Sequence, residues 1–297
     1  MRLIRIWFRA SRPFTFSGAV VPVLVGTSPA FREGQADLWL FLLVFAACLL
    51  VQIATNMVDE YSDHNRPEGQ GKLLAPYKVI ALGLLSAGAV KLGAAVCFGI
   101  ATAIGIYLII RTGWPILAIC AASLIVAYFY SAGRLSLGKI GLGQPLVFVF
   151  MGPVMVMGAY YVQTQSFTMA SLWLSLPVAC TVTAILAAND LRDFEEDRAA
   201  GKRTPVTVFG RRFGRWEWLG LVVTAYLIVF GLVVTGSLGI MGLLPLLALP
   251  QATRTFRLIW NGQERAQLAP ALPATAIFHG QFGFLLAAGI VLERLLS

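Results

Sequence analysis

The chain has 297 residues, 58% of them hydrophobic and 12% charged, with a mean hydropathy of +0.77. That balance excludes a water-soluble globular domain and fits an all-α, polytopic membrane protein. The net charge of +9 does not point to nucleic acid, because the basic residues are spread over several loops instead of gathering on one polar face.

Arg2, Arg5, Arg9 and Arg12 precede the first apolar run, 13–31. The pattern is superficially that of a signal peptide. The run is long enough to span and has no convincing small-residue cleavage site, so it is expected to be retained as a first helix. Uncharged runs at 38–58, 92–110 and 112–133 approach the roughly 20 residues that a crossing needs and predict three more. The stretch 140–189 is too long for one crossing and is interrupted by Gln163-Thr-Gln-Ser166, so it reads as two helices. Residues 218–253 are barely long enough for two, with a turn at Gly236-Ser237 and prolines at 245 and 250, and 266–292 supplies the last of nine.

Lys and Arg are retained in cytoplasmic loops far more than in translocated ones. Nine spans with a cytoplasmic N-terminus place 19 of the 23 basic residues inside, and merging the seventh and eighth spans would move Arg254, Arg257 and Arg265 outside. Cys48, Cys97, Cys120 and Cys180 fall inside apolar runs with no paired spacing, so they read as small core residues and not as metal ligands or a disulfide framework.

Two acidic clusters interrupt this oily pattern: Asn56-Met-Val-Asp59-Glu-Tyr-Ser-Asp63 and Asn189-Asp190-Leu-Arg-Asp193-Phe-Glu-Glu-Asp197. Each puts two aspartates at i and i+4, on one helical face, with an Asn one turn earlier. Acids at a membrane boundary are usually solvated helix ends. Two clusters that share spacing, Asn placement and predicted cytoplasmic side favour a common task. Mg2+ takes oxygen ligands, commonly one or two carboxylates completed by phosphate oxygens and water. Asp59 and Asp63 with Asn56, and Asp193 and Asp197 with Asn189, are therefore the expected faces of a site for Mg2+ and a diphosphate. Glu60, Glu195 and Glu196 fall off those faces and are expected to be solvated or paired with Arg192, Arg198 and Lys202; Asp190, one turn before Asp193, is ambiguous, an acceptor behind the ligands being one reading. The clusters end the second and the sixth predicted helices, which suggests two four-helix halves plus a final helix.

These residues resemble the UbiA superfamily of intramembrane aromatic prenyltransferases, and most of all its 1,4-dihydroxy-2-naphthoate polyprenyltransferase branch. The resemblance covers nearly the whole chain and rests on Arg12-Pro-Phe-Thr15, the two acidic clusters, Gly141-Leu-Gly-Gln144, Phe150-Met-Gly-Pro153, Tyr160-Tyr-Val-Gln-Thr164 and Gly201-Lys-Arg-Thr204. It implies a single transmembrane prenyltransferase domain over 1–297: a helical bundle around a central cavity open to lipid. It further implies an isoprenyl diphosphate bound at the two clusters through Mg2+, its tail in the apolar interior, and attack on the allylic carbon by an electron-rich aromatic ring. In the naphthoate branch, which serves menaquinone synthesis, loss of a carboxylate accompanies prenylation.

By the same resemblance Arg12 and Lys139 match diphosphate-binding positions, with positive-inside anchoring as the alternative for each. Arg134, Lys72, Arg192 and Lys202 are further candidates for the diphosphate oxygens, with a plain loop charge the favoured reading for each. Tyr130, at the cytoplasmic end of the fourth helix, is expected to contact the acceptor or the developing cation, or else to mark the interface. Gln144 stands among the expected substrate contacts, where the branch usually carries Glu, and the loop after Asp63 is shorter than usual, with its Gly-rich part reduced to Gly69-Gln-Gly71. Both departures bear on the acceptor, so 4-hydroxybenzoate and homogentisate remain alternatives to the naphthoate. His279 is expected to make an interhelical hydrogen bond, and His64 is given no role. An ion-coupled transporter is the rival of another class, but its acids belong near the bilayer centre, not at cytoplasmic helix ends.

Overall fold

The computed structural model describes residues 2–64, 78–131 and 136–296. The expectations for Arg66, Lys72, Gly69-Gln-Gly71 and Arg134 lie outside the described residues. Within them the chain is helical, and its only bridge between extended residues joins Ile140 to Arg203.

A short helix, α1 (Arg2–Ala10), precedes a 3-10 turn at Pro13–Thr15 and the first spanning helix, α2 (Ser17–Arg32). The aromatic ring of Trp7 lies so close to Gly93 that a Cβ there would sit 2.7 Å from it, which docks α1 on the bundle. Then follow α3 (Leu38–His64), α4 (Ala87–Thr112) and α5 (Trp114–Ser131). A broken segment comes next: α6 (Gly143–Val149), a π turn over Phe150–Val154 that contains Pro153, and α7 (Met155–Thr164). Proline lacks the amide hydrogen, and the widened turn accommodates it. The second acidic cluster closes α8 (Met169–Arg192) and forms α9 (Phe194–Ala199). The chain finishes with α10 (Pro205–Phe209), α11 (Arg211–Val234), a 3-10 segment at Ile240–Ala248, α12 (Leu249–Asn261), α13 (Arg265–Leu268) and α14 (Ala271–Leu296).

Among the described residues, seven helical segments are long and apolar enough to cross a membrane: Pro13–Arg32, Leu38–His64, Ala87–Thr112, Gly143–Thr164, Met169–Arg192, Arg211–Val234 and Arg265–Leu296. The nine expected crossings are not met on that measure. The predicted fourth is the shorter apolar helix Trp114–Tyr130. The predicted eighth is divided between the 3-10 segment, which holds Pro245, and α12, which has Pro250 in its first turn.

The acidic helices hold matching places, for α3 packs most extensively on α4 and α8 on α11, each against the spanning helix that follows its acidic loop. The deepest packing centres on α8 and α14, with Trp218, Phe278, Phe282, Ile259 and Leu286 buried between helices. Missing side chains let the backbones close up. A Cβ on Gly26 of α2 would lie 2.3 Å from the Val156 carbonyl oxygen of α7. His279 makes the expected interhelical bond, its Nδ1 lying 2.9 Å from Thr181 Oγ1 on α8.

Candidate functional site

A cavity of about 790 Å3 runs into the bundle from the end where α3 and α8 finish. Its inner wall is apolar, built from residues such as Val44, Ile109, Ile116, Leu124, Val154 and Ile185, and the π turn presents Phe150 and Met151 to it. Its mouth carries Asn56, Asp59 and Asp63 from α3, and Asn189, Arg192, Asp193 and Asp197 from α8 and α9, together with Arg12, Tyr130 and Lys139. The two clusters, far apart in sequence, thus line one chamber.

Each aspartate at this mouth has a basic partner. Arg12 Nη1 lies 2.8 Å from Asp59 Oδ2. Arg12 itself is buried and adopts a left-handed backbone, φ 53°. That strained turn is gripped from both sides by Asn56, whose amide donates to the Ser11 carbonyl oxygen at 3.0 Å and to Thr15 Oγ1 at 2.9 Å. The Asn56 amide is therefore an orienter of the Arg12 turn. Lys78 pairs with Asp63. Arg192 holds Asp193 through Nε–Oδ1 at 2.8 Å and also donates to Asn189 Oδ1 at 2.9 Å. Arg265 approaches Asp193 at 3.3 Å and Glu196 at 3.0 Å. Lys202 Nζ lies 2.7 Å from Asp197 and 3.5 Å from Asp190.

Burial pushes the Asp197 carboxyl up to about 6, with the Lys202 ammonium opposing the shift. Burial acts against the Lys202 charge too, but Asp190 and Asp197 outweigh it and hold this lysine above its ordinary range. Lys139 is brought alongside by the Arg203 amide, which donates to the Lys139 carbonyl oxygen at 2.8 Å.

Several expectations need correction. Lys202 and Arg192 are not loop charges: both line the cavity and both are engaged with the second cluster. Gln144 is absent from the cavity wall. It is buried behind it, where its amide donates to Asp190 Oδ2 at 3.1 Å and to Glu217 Oε2 at 3.3 Å. Asp190, left open by the sequence, lies off the cavity wall and accepts from Gln144. Glu60 is neither solvated nor paired with Arg192, Arg198 or Lys202, because it is buried and accepts from the Ile80 amide at 2.7 Å. Glu195 meets Arg211, and Glu196 meets Arg265. His64 is exposed, and Cys48 and Cys120 face the cavity while all four cysteines are free. Lys78, Arg265 and Glu217 were missed as site residues. Nothing in their spacing marks them, since loops and a separate helix bring them in. Tyr160 and Tyr161 serve the opposite end, bonding Glu33 at 3.0 Å and the Thr112 carbonyl oxygen at 3.1 Å.

Among the described residues no group of three or more His, Cys, Asp or Glu is close enough to hold an ion. The carboxylates are offered as two pairs, so any cation between them needs further oxygens from its ligand or from water.

Comparison with known proteins gives the family and the fold. The profile of the UbiA prenyltransferase family matches residues 19–282. A 1,4-dihydroxy-2-naphthoate octaprenyltransferase of Bacillus subtilis is 29% identical over 97% of this chain and 93% of its own length. The UbiA prenyltransferase domain-containing protein 1 of Xenopus tropicalis is 30% identical, with 95% of this chain and 81% of that protein covered. A solved UbiA homolog from Archaeoglobus fulgidus bound to GPP and Mg2+ shares the fold at a TM-score of 0.61 and 16% identity, over 95% of this chain and 99% of that one.

Proposed function

This chain belongs to the UbiA prenyltransferase family and is a multi-pass membrane prenyltransferase, and from that premise we propose that it prenylates 1,4-dihydroxy-2-naphthoate with an isoprenyl diphosphate held through Mg2+. The reaction belongs at the cytoplasmic side of the cell membrane, where the positive-inside count puts the N-terminus and the acidic loops. The observation that carries the reading is the convergence of both acidic motifs at the mouth of an apolar chamber. The naphthoate enters from the name of the Bacillus subtilis relative, and Mg2+ from the ligand of the Archaeoglobus fulgidus homolog.

The donor set fits Mg2+: hard oxygen ligands in two pairs, with no thiolate or imidazole in the arrangement. Asp59, Asp63, Asp193 and Asp197 would hold the ions, with Asn56 and Asn189 at their sides. When bound, the ions neutralise charge that builds on the departing diphosphate. The chain's own residues do the rest. Arg12, Lys139 and Lys202 line the same mouth and supply fixed positive charge where the leaving oxygen becomes negative. The apolar wall takes the prenyl tail and keeps water from the allylic carbon. The Tyr130 ring, at the mouth, offers a π face to the carbon as its bond to oxygen breaks. The ring carbon of the acceptor then takes the prenyl group, and the carboxylate it carried leaves as carbon dioxide.

The test is purified protein in nanodiscs with Mg2+, a radiolabelled prenyl diphosphate and a panel of aromatic acceptors. The expected product is a prenylated naphthoquinol with stoichiometric carbon dioxide. Product from 4-hydroxybenzoate or homogentisate alone would move the acceptor within the family, and no covalent product with any of them would remove the proposal.

A further inference from the structure

A second cavity, of about 560 Å3, lies away from the first and shares no residue with it. It sits beside α12, lined by Arg254, Arg257, Asn261 and Gln267 with the apolar edges Pro250 and Leu258. Arg254, Arg257 and Asn261 recur at one face of the helix, and all three are exposed. Among the described residues neither guanidinium reaches a carboxylate, whereas Arg192, Arg211 and Arg265 each do.

The membrane level of this face is marked by aromatic rings. Trp260 meets Trp216 edge-on at 5.1 Å, and Trp216 is exposed on α11. Tryptophans gather where hydrocarbon gives way to headgroups. The Arg215 guanidinium ties this end together by donating to the Ile259 and Gly262 carbonyl oxygens at 3.1 and 2.7 Å. At a helical rise of 1.5 Å, Arg257 lies about 5 Å and Arg254 about 9 Å inward of Trp260. Two arginines at that depth, facing lipid without an anionic protein partner, need a counterion from the bilayer.

We infer that this cleft is a seat for the headgroup of an anionic phospholipid. The forked guanidiniums of Arg254 and Arg257 match the two free oxygens of a phosphodiester. Asn261 and Gln267, at the watery end of the cleft, offer amides to the outer hydroxyls of the headgroup, and Pro250, at the inner end of α12, borders the start of the acyl chains. A basic cleft between helix ends at the cytoplasmic level is the form such sites take. One turn of helix links the seat to the second acidic cluster, because Gln267 shares α13 with Arg265, the partner of Asp193.

The test is native mass spectrometry of delipidated protein titrated with phosphatidylglycerol or phosphatidylcholine, which needs no turnover and so stands apart from the acceptor assay. Wild type is expected to retain one phosphatidylglycerol at least tenfold more tightly than it retains phosphatidylcholine. The double variant Arg254→Gln/Arg257→Gln is expected to lose that preference while staying monodisperse with unchanged helical circular dichroism. Equal retention of the two lipids by wild type overturns the inference without any variant, and so does an unchanged preference in a folded double variant. Displacement of the lipid by millimolar inorganic phosphate would identify a free phosphate site instead.

Discussion

Replacing Lys202 with Met tests the cation ring at the cavity mouth most directly. Lys202 Nζ lies 2.7 Å from Asp197 and 3.5 Å from Asp190, and the Asp190 side chain is 2% exposed. Removing one partner of a buried ion pair leaves the other charge uncompensated and costs about 3–5 kcal/mol. Gln144 still donates to Asp190, which places the loss for Lys202→Met near the lower end, about 3 kcal/mol. On the proposed function, the ammonium is also the group that a metal ion has to displace at Asp197. Saturating Mg2+ should therefore stabilise the variant more than it stabilises wild type, since no ion pair has to be broken first. Tryptophan-fluorescence unfolding in detergent, with EDTA and then with Mg2+, reads both effects. A variant as stable as wild type in EDTA refutes the pairing, and a Mg2+-induced gain no larger than that of wild type refutes the exchange.

Asp59→Ala and Asp193→Ala should each lower Mg2+-dependent turnover by about two to three orders of magnitude, the scale of losing one charge-stabilising group in a closed site, while the membrane-extracted protein stays monodisperse; full activity in both removes the ligand assignment. Asp197 titrates at about 6 because it is buried, and it must be ionised to bind metal. Apparent Mg2+ affinity is thus expected to be flat above pH 7 and to fall by about tenfold per unit below 6, measured by metal titration of the initial rate. An affinity unchanged at pH 5 contradicts this. Gln144→Glu would place a third carboxylate beside Asp190 and Glu217 and should destabilise the fold by about 1–3 kcal/mol. Adding Glu217→Gln restores part of that loss if the three groups share one network, and strict additivity in the double-variant cycle would show that they do not.

The acidic clusters were legible because α-helical spacing converts i and i+4 into one face, and the chamber they line follows from both helices ending at the same level. Their counterions were not. Lys78 comes from a loop and Arg265 from the start of the short helix α13, both placed by tertiary packing, and Lys202 looked like one more basic loop residue. Gln144 was misjudged for the opposite reason: a polar side chain at a helix start in a recognisable block looks like a contact, yet its amide is used up by one buried and one half-buried carboxylate. The count of nine is not met where prolines intervene, since the run 218–253 is uncharged in sequence while Pro245 and Pro250 divide the hydrogen-bond ladder of its second half. The Tyr160 block drew attention as part of a signature, and the structure gives it the work of stitching together the end remote from the chemistry.

The left-handed backbone at Arg12 makes one residue the joint between a helix that bares Leu3, Ile4 and Phe8 and a helix that crosses the membrane. The side chain of that joint is the one that reaches Asp59. Any displacement of α1 is therefore passed to the Arg12–Asp59 pair through the turn that Asn56 grips.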